Sequence, residues 1–253
     1  MNGFLVEKAA FSVAPSHRFI AFTTLSECKD GSRASFAEGI EEQARRELEV
    51  ALMPLGVTWL SLQHGADVIL ISDKQSPVSV DAAIVDTPGF AVAFTTADCL
   101  PVVLVSESCG LIAGIHAGWR GVARGVIENC CAELATLNDG QMPLDTLAWI
   151  GPAIKAADYE VDATTREELL ASASVSGEHF SPTKPGHFCA DLPAMALAKL
   201  KAAGVAAERI SVQPQSTFTE TKYHSARRDG VTSGRMATVV GILEQGDGVS
   251  VPI

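Results

Sequence analysis

Apolar residues fall in short runs along most of the chain, and the length and spacing of those runs separate strands from helices. Residues 19–24 (FIAFTT) read as a buried strand. Residues 36–55 read as a helix, because Glu38, Glu41, Glu42, Arg45, Arg46 and Glu49 leave an apolar stripe between them. The intervening SECKDGSRAS is a loop. Four β-rich runs follow, at 58–63, 67–72, 81–85 and 91–95, each bounded by Gly, Pro or Asp. Residues 100–105 and 111–115 are two buried strands joined by a turn at 107–110, the pattern of a hairpin. Residues 118–137 read as one helix and 147–150 as a strand. A helix at 163–171 begins behind the cap candidate Asp162, another at 192–203 is closed by Gly204, and 236–243 is the last strand. Helices and strands are interspersed without strict βαβ alternation. The expected fold is therefore a single-domain α/β mixed-sheet sandwich over residues 1–253, rather than a Rossmann fold or a barrel.

Composition narrows the function classes. Hydrophobic residues make up 47% of the chain and charged residues 19%, enough to build a large core. A formal charge of −11 repels phosphate polymers and anionic headgroups, which argues against nucleic acid and membrane surfaces as partners. No apolar run approaches the length of a bilayer span, and no basic region followed by a long apolar stretch opens the chain, so a soluble cytoplasmic protein is expected. The six cysteines, two of them adjacent, have no regular disulfide spacing and are expected to be reduced. Oligomeric state leaves no mark on the sequence.

Three segments set a metal-ligand residue at the edge of an expected strand: Gln63-His64-Gly65-Ala66-Asp67, Ala97-Asp98-Cys99-Leu100-Pro101 and His116-Ala117-Gly118-Trp119-Arg120. Zinc accepts imidazole and thiolate, and catalytic zinc sites use three protein ligands. Two histidines and one cysteine fit that count. Each residue taken alone has a structural reading, as a hydrogen-bonded histidine or an inert core thiol. The spacings are those of neither a zinc finger nor a ribbon. His187 and Cys189 would share a strand face but supply only two ligands, while Cys130 and Cys131 read as core thiols of a helix.

The strings QHGADV, TADCLPVVL, HAGWRGVARGV, WIGPAI and SARRDG, in this order from about Gln63 to Leu243, resemble the laccase-domain family, also called YfiH-like or multicopper polyphenol oxidase. The resemblance implies an α/β fold related to the catalytic domains of cytotoxic necrotizing factors, with His64, Cys99 and His116 as zinc ligands. It also implies purine nucleoside chemistry: phosphorolysis of adenosine, inosine, guanosine or methylthioadenosine, and deamination of adenosine. Older descriptions imply a copper polyphenol oxidase, and some bacterial members a role in peptidoglycan editing.

Within the resembling motifs, Arg120, Arg227 and Arg228 are candidate binders of phosphate, and Arg45 matches one half of an Asn-Arg pair. Asp98 is a candidate general base or histidine-orienting carboxylate, with a turn or cap role as the alternative. Asp81, in Val80-Asp81-Ala82, matches an Ala-Asp-Ala string of the family and could contact substrate hydroxyls or serve a turn. Trp119 could stack on a base or pack in the core. The chain departs from the family pattern at SECKDGSRASFAEG, which replaces a Gly-Val-Ser and Leu-Asn-Leu-Gly region, and at Ala44-Arg45. It departs again at Ser216-Thr217, where Cys-Thr is usual, and in DGVTSGR (229–235), one residue longer than usual. Two further chemistries compete with the zinc nucleoside enzyme. One is a copper oxidase, for which six histidines are few. The other is a metal-free hydrolase with Cys99 as nucleophile and His116 as base.

Overall fold

The computed structural model describes residues 4–11, 18–28, 35–36 and 41–244. In chain order the elements are β1 (Phe4–Lys8), β2 (Phe19–Cys28), α1 (Glu41–Ala51), β3 (Gly56–Trp59), β4 (Val68–Ile71), β5 (Ala82–Val85), β6 (Phe90–Thr96), β7 (Leu100–Ser106), β8 (Leu111–Ala117), α2 (Trp119–Arg124) and α3 (Val126–Thr136). There follow β9 (Leu147–Ile150), β10 (Glu160–Asp162), α4 (Ala163–Leu170), β11 (Phe180–Pro182), β12 (His187–Ala190), α5 (Leu192–Ala202), β13 (Ile210–Val212), α6 (Ala226–Asp229) and β14 (Met236–Ile242).

Two mixed sheets carry the fold, one of five strands in the order β1-β2-β14-β6-β3 and one of six in the order β13-β9-β7-β8-β5-β4. Side-chain alternation along β7 explains how they stack. Leu100, Val102 and Leu104 face a cluster built with α3 and α5, whereas Val103 and Val105 join Phe94, Trp149 and Val240 in a cluster between the two sheets. Both faces of β7 and β8 are thus buried, which is why these strands read as continuous apolar runs rather than alternating ones. A third cluster, with Leu48, Leu52, Phe36 and Trp59, lies under α1 on the outer face of the five-stranded sheet. The mixed α/β sandwich expected from the sequence is observed, and the β7–β8 hairpin pairs antiparallel from Leu100↔Ala117 to Ser106↔Leu111.

Two expectations about elements are corrected. The helix expected over 118–137 is two helices, because Gly125 sits at φ 87, a left-handed value that caps α2 and opens α3 at an angle. The helix expected over 36–55 is observed as Glu41–Ala51, with 37–40 outside the described residues; it ends before Pro54, which cannot continue a helix. The strand that carries His187 and Cys189 is observed as β12, and it joins a small sheet of order β10-β12-β11 whose two three-residue strands are too short to show a period. Caps are as read: the Asp162 carboxylate accepts from the Thr165 backbone N–H at the start of α4, and Gly204 lies at φ 100 just past α5. Among the described residues no helix is long and apolar enough to cross a membrane.

Candidate metal centre

The ends of β5, β7 and β8 meet the loop after β3 at one edge of the sandwich, and there the fold gathers the three candidate ligands. One ligand atom each from His64, Cys99 and His116 lies within 4.8 Å of the others. His116 reaches this point because it shares strand parity with Ile112, which faces the space between the sheets; its ring is 2% exposed. The rings of His64 and His116 meet edge to face, with centroids 4.9 Å apart.

Behind the histidines lies Asp81, fully buried at the residue preceding β5. Its Oδ1 pairs with His116 Nδ1 at 2.8 Å and accepts the His64 backbone N–H at 2.9 Å. Its Oδ2 accepts the backbone N–H groups of Gly65 at 2.7 Å and Gln63 at 3.1 Å. A carboxylate can only accept, so Nδ1 of His116 carries the proton and Nε2 is left as the ligand nitrogen. The same carboxylate holds His64 at φ 53, a left-handed value that a non-glycine residue keeps only when its neighbours impose it. Burial raises the Asp81 pKa, but the His116 hydrogen bond and the Gly65 amide outweigh it and hold the carboxyl below its ordinary value. Of the two readings of Asp81, contact with substrate hydroxyls or a structural turn, the geometry matches the structural one: the four groups hydrogen-bonded to it are protein N–H groups and the residue is buried.

Burial likewise opposes ionisation of Cys99, yet His116 and His64 together lower its pKa to about 6. Burial pulls His116 down, while the Cys99 thiolate and Asp81 raise it to about 9. A thiolate is therefore present at neutral pH without help from a base in solution. Gly118 makes the cluster sterically possible. A Cβ there would lie 3.0 Å from Cys99 Sγ and 3.1 Å from His64 Cδ2. Gly118→Ala is expected to leave the fold intact and weaken binding of a divalent metal by about tenfold or more, as the ligands are pushed apart; a competition titration against a chromophoric chelator measures it.

The other site candidates have distinct placements. Asp98, at φ 83 in the turn between β6 and β7, does not orient either histidine of the cluster. Its Oδ1 accepts from Thr217 Oγ1 and its Oδ2 from the Arg227 backbone N–H, both at 2.6 Å, which is the turn and anchoring role. Arg228 is corrected as an anion binder. Its guanidinium forms a fork with Asp229 and donates to the carbonyls of Thr217, Phe218 and Tyr223, so it braces the 217–223 loop. Arg120 and Arg227 are exposed, each over an aromatic ring. Arg45 stacks on Trp59, its guanidinium carbon 4.5 Å from the ring centroid, on the α1 side of the five-stranded sheet. Trp119 packs against the helix-covered cluster beneath Arg120. Ser216 Oγ donates to Asp158 Oδ2 at 2.6 Å and so ties the 216–217 turn to the segment after β9. Cys130 and Cys131 are core thiols whose pKa burial drives upward. Within the replaced N-terminal region, 29–34 and 37–39 lie outside the described residues, as does His17. Sequence reasoning passed over Tyr159, whose hydroxyl senses the charges of Cys99, Arg227, Asp98 and Arg120.

Imidazole, imidazole and thiolate, gathered within 4.8 Å with the thiolate already favoured, fit a divalent transition metal. Zinc–sulfur and zinc–nitrogen distances of about 2.3 and about 2.0 Å need only a small contraction of the cluster. Among the described residues, no other group of three His, Cys, Asp or Glu side chains is assembled this way.

The fold and site together define an α/β sandwich protein with a three-residue His-Cys-His centre at its strand ends. The family model described as multi-copper polyphenol oxidoreductase laccase matches residues 34–243. The chain belongs to this laccase-domain, YfiH-like family. It is 34% identical over 206 residues to the purine nucleoside phosphorylase YfiH of Escherichia coli (strain K12), covering 81% of each chain. A purine nucleoside phosphorylase of Xylella fastidiosa (strain Temecula1) is 33% identical over 238 residues, 91% of this chain and 87% of that one. Among solved structures, YlmD from Geobacillus stearothermophilus superposes with a TM-score of 0.82 at 26% identity, over 96% of this chain and all of that one. Neisseria meningitidis NMB0706 superposes with a TM-score of 0.79 at 28% identity, over 94% of this chain and 99% of that one.

Proposed function

We propose that the chain is a zinc-dependent purine nucleoside phosphorylase, acting on adenosine, inosine, guanosine and methylthioadenosine, with adenosine deaminase activity. The observation that carries the reading is the convergence of His64, Cys99 and His116 on one point with Asp81 fixing the imidazole behind it. The relatives named purine nucleoside phosphorylase support the substrate class. His64, Cys99 and His116 would hold the zinc, which when bound supplies a Lewis acid able to bring the pKa of water to about 7. Asp81 keeps His116 in the ligating tautomer, and Asp98 anchors the backbone that carries Arg227. In phosphorolysis the anionic nucleophile has to be held while the ribosyl carbon gains positive character, and Arg120 and Arg227 are the exposed cations that suit this. Purified protein given stoichiometric zinc should release base from inosine only with phosphate present, and ammonia from adenosine without it. Absence of both reactions refutes the proposal.

The paired shifts of Cys99 to about 6 and His116 to about 9 favour a second reading, a thiolate–imidazolium hydrolase that uses no metal. Alkylation separates the two. In metal-free protein the rate at which iodoacetamide modifies Cys99 should rise as pH climbs through about 6, because the depressed pKa puts the reactive thiolate there. Stoichiometric zinc should suppress that reaction across the range, as followed by mass spectrometry of the Cys99 peptide. Unchanged alkylation with zinc present supports the hydrolase. Metal analysis of protein purified without added metal decides zinc against copper.

A further inference from the structure

The three candidate ligands are not held alike. Cys99 adjoins the start of β7 and His116 lies in β8, so the hairpin ladder fixes both backbones, whereas His64 sits in the loop between β3 and β4. Gln63 and Asp67 in that loop are exposed. His64 itself, at φ 53, keeps a left-handed backbone that persists in a non-glycine residue only where its surroundings over-determine it. Asp81 holds the loop through the N–H groups of Gln63, His64 and Gly65. The carbonyls of the same loop are held by α2 and α3.

Arg124, the last residue of α2, donates from Nη1 to the His64 carbonyl at 2.9 Å, and Asn129 of α3 donates from Nδ2 to the Ala66 carbonyl at 2.9 Å. In one unbroken helix these two residues, five positions apart, would point about 140° away from each other. The left-handed Gly125 between them breaks the helix, and the corner it makes brings both side chains to one loop. Gly121 has no side chain to hold that corner off: a Cβ there would lie 3.3 Å from the Gly65 carbonyl oxygen. Asp81 is fully buried and Arg124 is exposed. The loop thus has an inner clamp built into the core and an outer one that can be removed without opening it.

We propose that Arg124 is a positioning residue of the metal centre. Its bond to the His64 carbonyl holds that imidazole at the cluster before metal arrives, with Asn129 bracing the same loop, and so sets how long a divalent metal stays bound. This rests on reading His64, Cys99 and His116 as metal ligands. The physical reason is pre-organisation. A ligand on a loose loop must be ordered at the moment of binding and is the first to let go, which weakens affinity without any change in the donor set. A guanidinium suits an exposed position, since its charge-assisted bond to a carbonyl is stronger than a neutral one.

Zinc alone is the probe, competed against a chromophoric chelator at equilibrium and then chased with excess chelator to read release. Arg124→Ala should weaken zinc binding by about tenfold, within the range that loss of an outer partner costs, and the change should fall mainly on the release rate. Asn129→Ala should act in the same direction and less strongly. Arg124→Lys, which keeps a cationic donor, should recover part of the loss, and Lys201→Gln, an exposed charge on α5, should change nothing. The thermal midpoint of metal-free Arg124→Ala separates positioning from general weakening: it should stay within about 2 °C of wild type, as expected of an exposed side chain. Wild-type affinity and release in Arg124→Ala overturn the proposal, and so does a loss of affinity that Arg124→Lys does not reduce. A loss of affinity matched by a fall of several degrees in the metal-free midpoint assigns Arg124 to the fold at large and overturns it too. A wild-type chain that binds no zinc removes the metal reading itself, and the proposal with it.

Discussion

Cys99→Ser is expected to lower zinc affinity by more than about a hundredfold, beyond the 10–100-fold that loss of an outer partner costs. On the proposed reading, nucleoside phosphorolysis should fall by about a thousandfold or more, since a metal Lewis acid there would be asked for roughly 4 kcal/mol of transition-state stabilisation. The reason lies in the cluster's charge. With Cys99 lowered to about 6, the wild-type ligand is an anion at neutral pH before any metal arrives. A serine hydroxyl there would be neutral, harder and shorter, and would leave two imidazoles to hold a dication. Metal content by elemental analysis, read beside the thermal midpoint, checks the effect: zinc should raise the midpoint of wild type and fail to raise that of Cys99→Ser. Cys109→Ser, in the turn between β7 and β8 with Asn138 as partner, should behave as wild type. A Cys99→Ser protein that keeps its zinc and loses activity would instead assign Cys99 as a nucleophile.

The parts of this fold that rest on local pattern were readable in advance. Strands β7, β8 and β9 are buried on both faces, so their apolar runs are continuous and their ends stand out against Asp98, Glu107 and Gly118. Cys99 and His116 stand out because each sits at such an end within a motif, and His64 because its motif directly follows an apolar run, although it lies in the loop after β3. What could not be read is partnership across the chain. Asp81 and His116 are 35 residues apart, and nothing local tells that carboxylate from Asp98, which looked the better histidine partner because it adjoins Cys99. The structure reverses those roles, since Asp81 shares the inter-sheet side with His116 while Asp98 turns toward Thr217 and Arg227. Arg227 and Arg228 were indistinguishable as adjacent cations. Their opposite fates follow from the single turn of α6, which directs one to the Tyr159 ring and the other to the carbonyls of 217–223. Tyr159 gave no signal because its significance comes entirely from what packs around it.

Asp81→Asn is expected to be nearly as damaging as Asp81→Ala, which singles out the carboxylate's role at this site. All four groups that touch Asp81 are N–H donors, two on each oxygen. An asparagine amide keeps the shape but turns one oxygen into a donor, so two N–H groups face a third in a sealed site. Removing one partner of a buried, hydrogen-bonded pair costs about 3–5 kcal/mol. For a chain of this length that corresponds to a fall of roughly 10 °C in the thermal midpoint. Zinc affinity should drop by about 10–100-fold as His116 loses its fixed tautomer and the His64 loop its anchor. Acid should imitate the mutation with a sign set by the shift. The folded-state pKa of Asp81 lies below its ordinary value, so its contribution is present above the ordinary carboxylate range and is lost only as pH falls through the depressed value. Wild type and Asp81→Asn should therefore differ most in thermal midpoint near neutral pH and converge in acid. A constant gap across that range would mean that Asp81 acts through shape rather than charge.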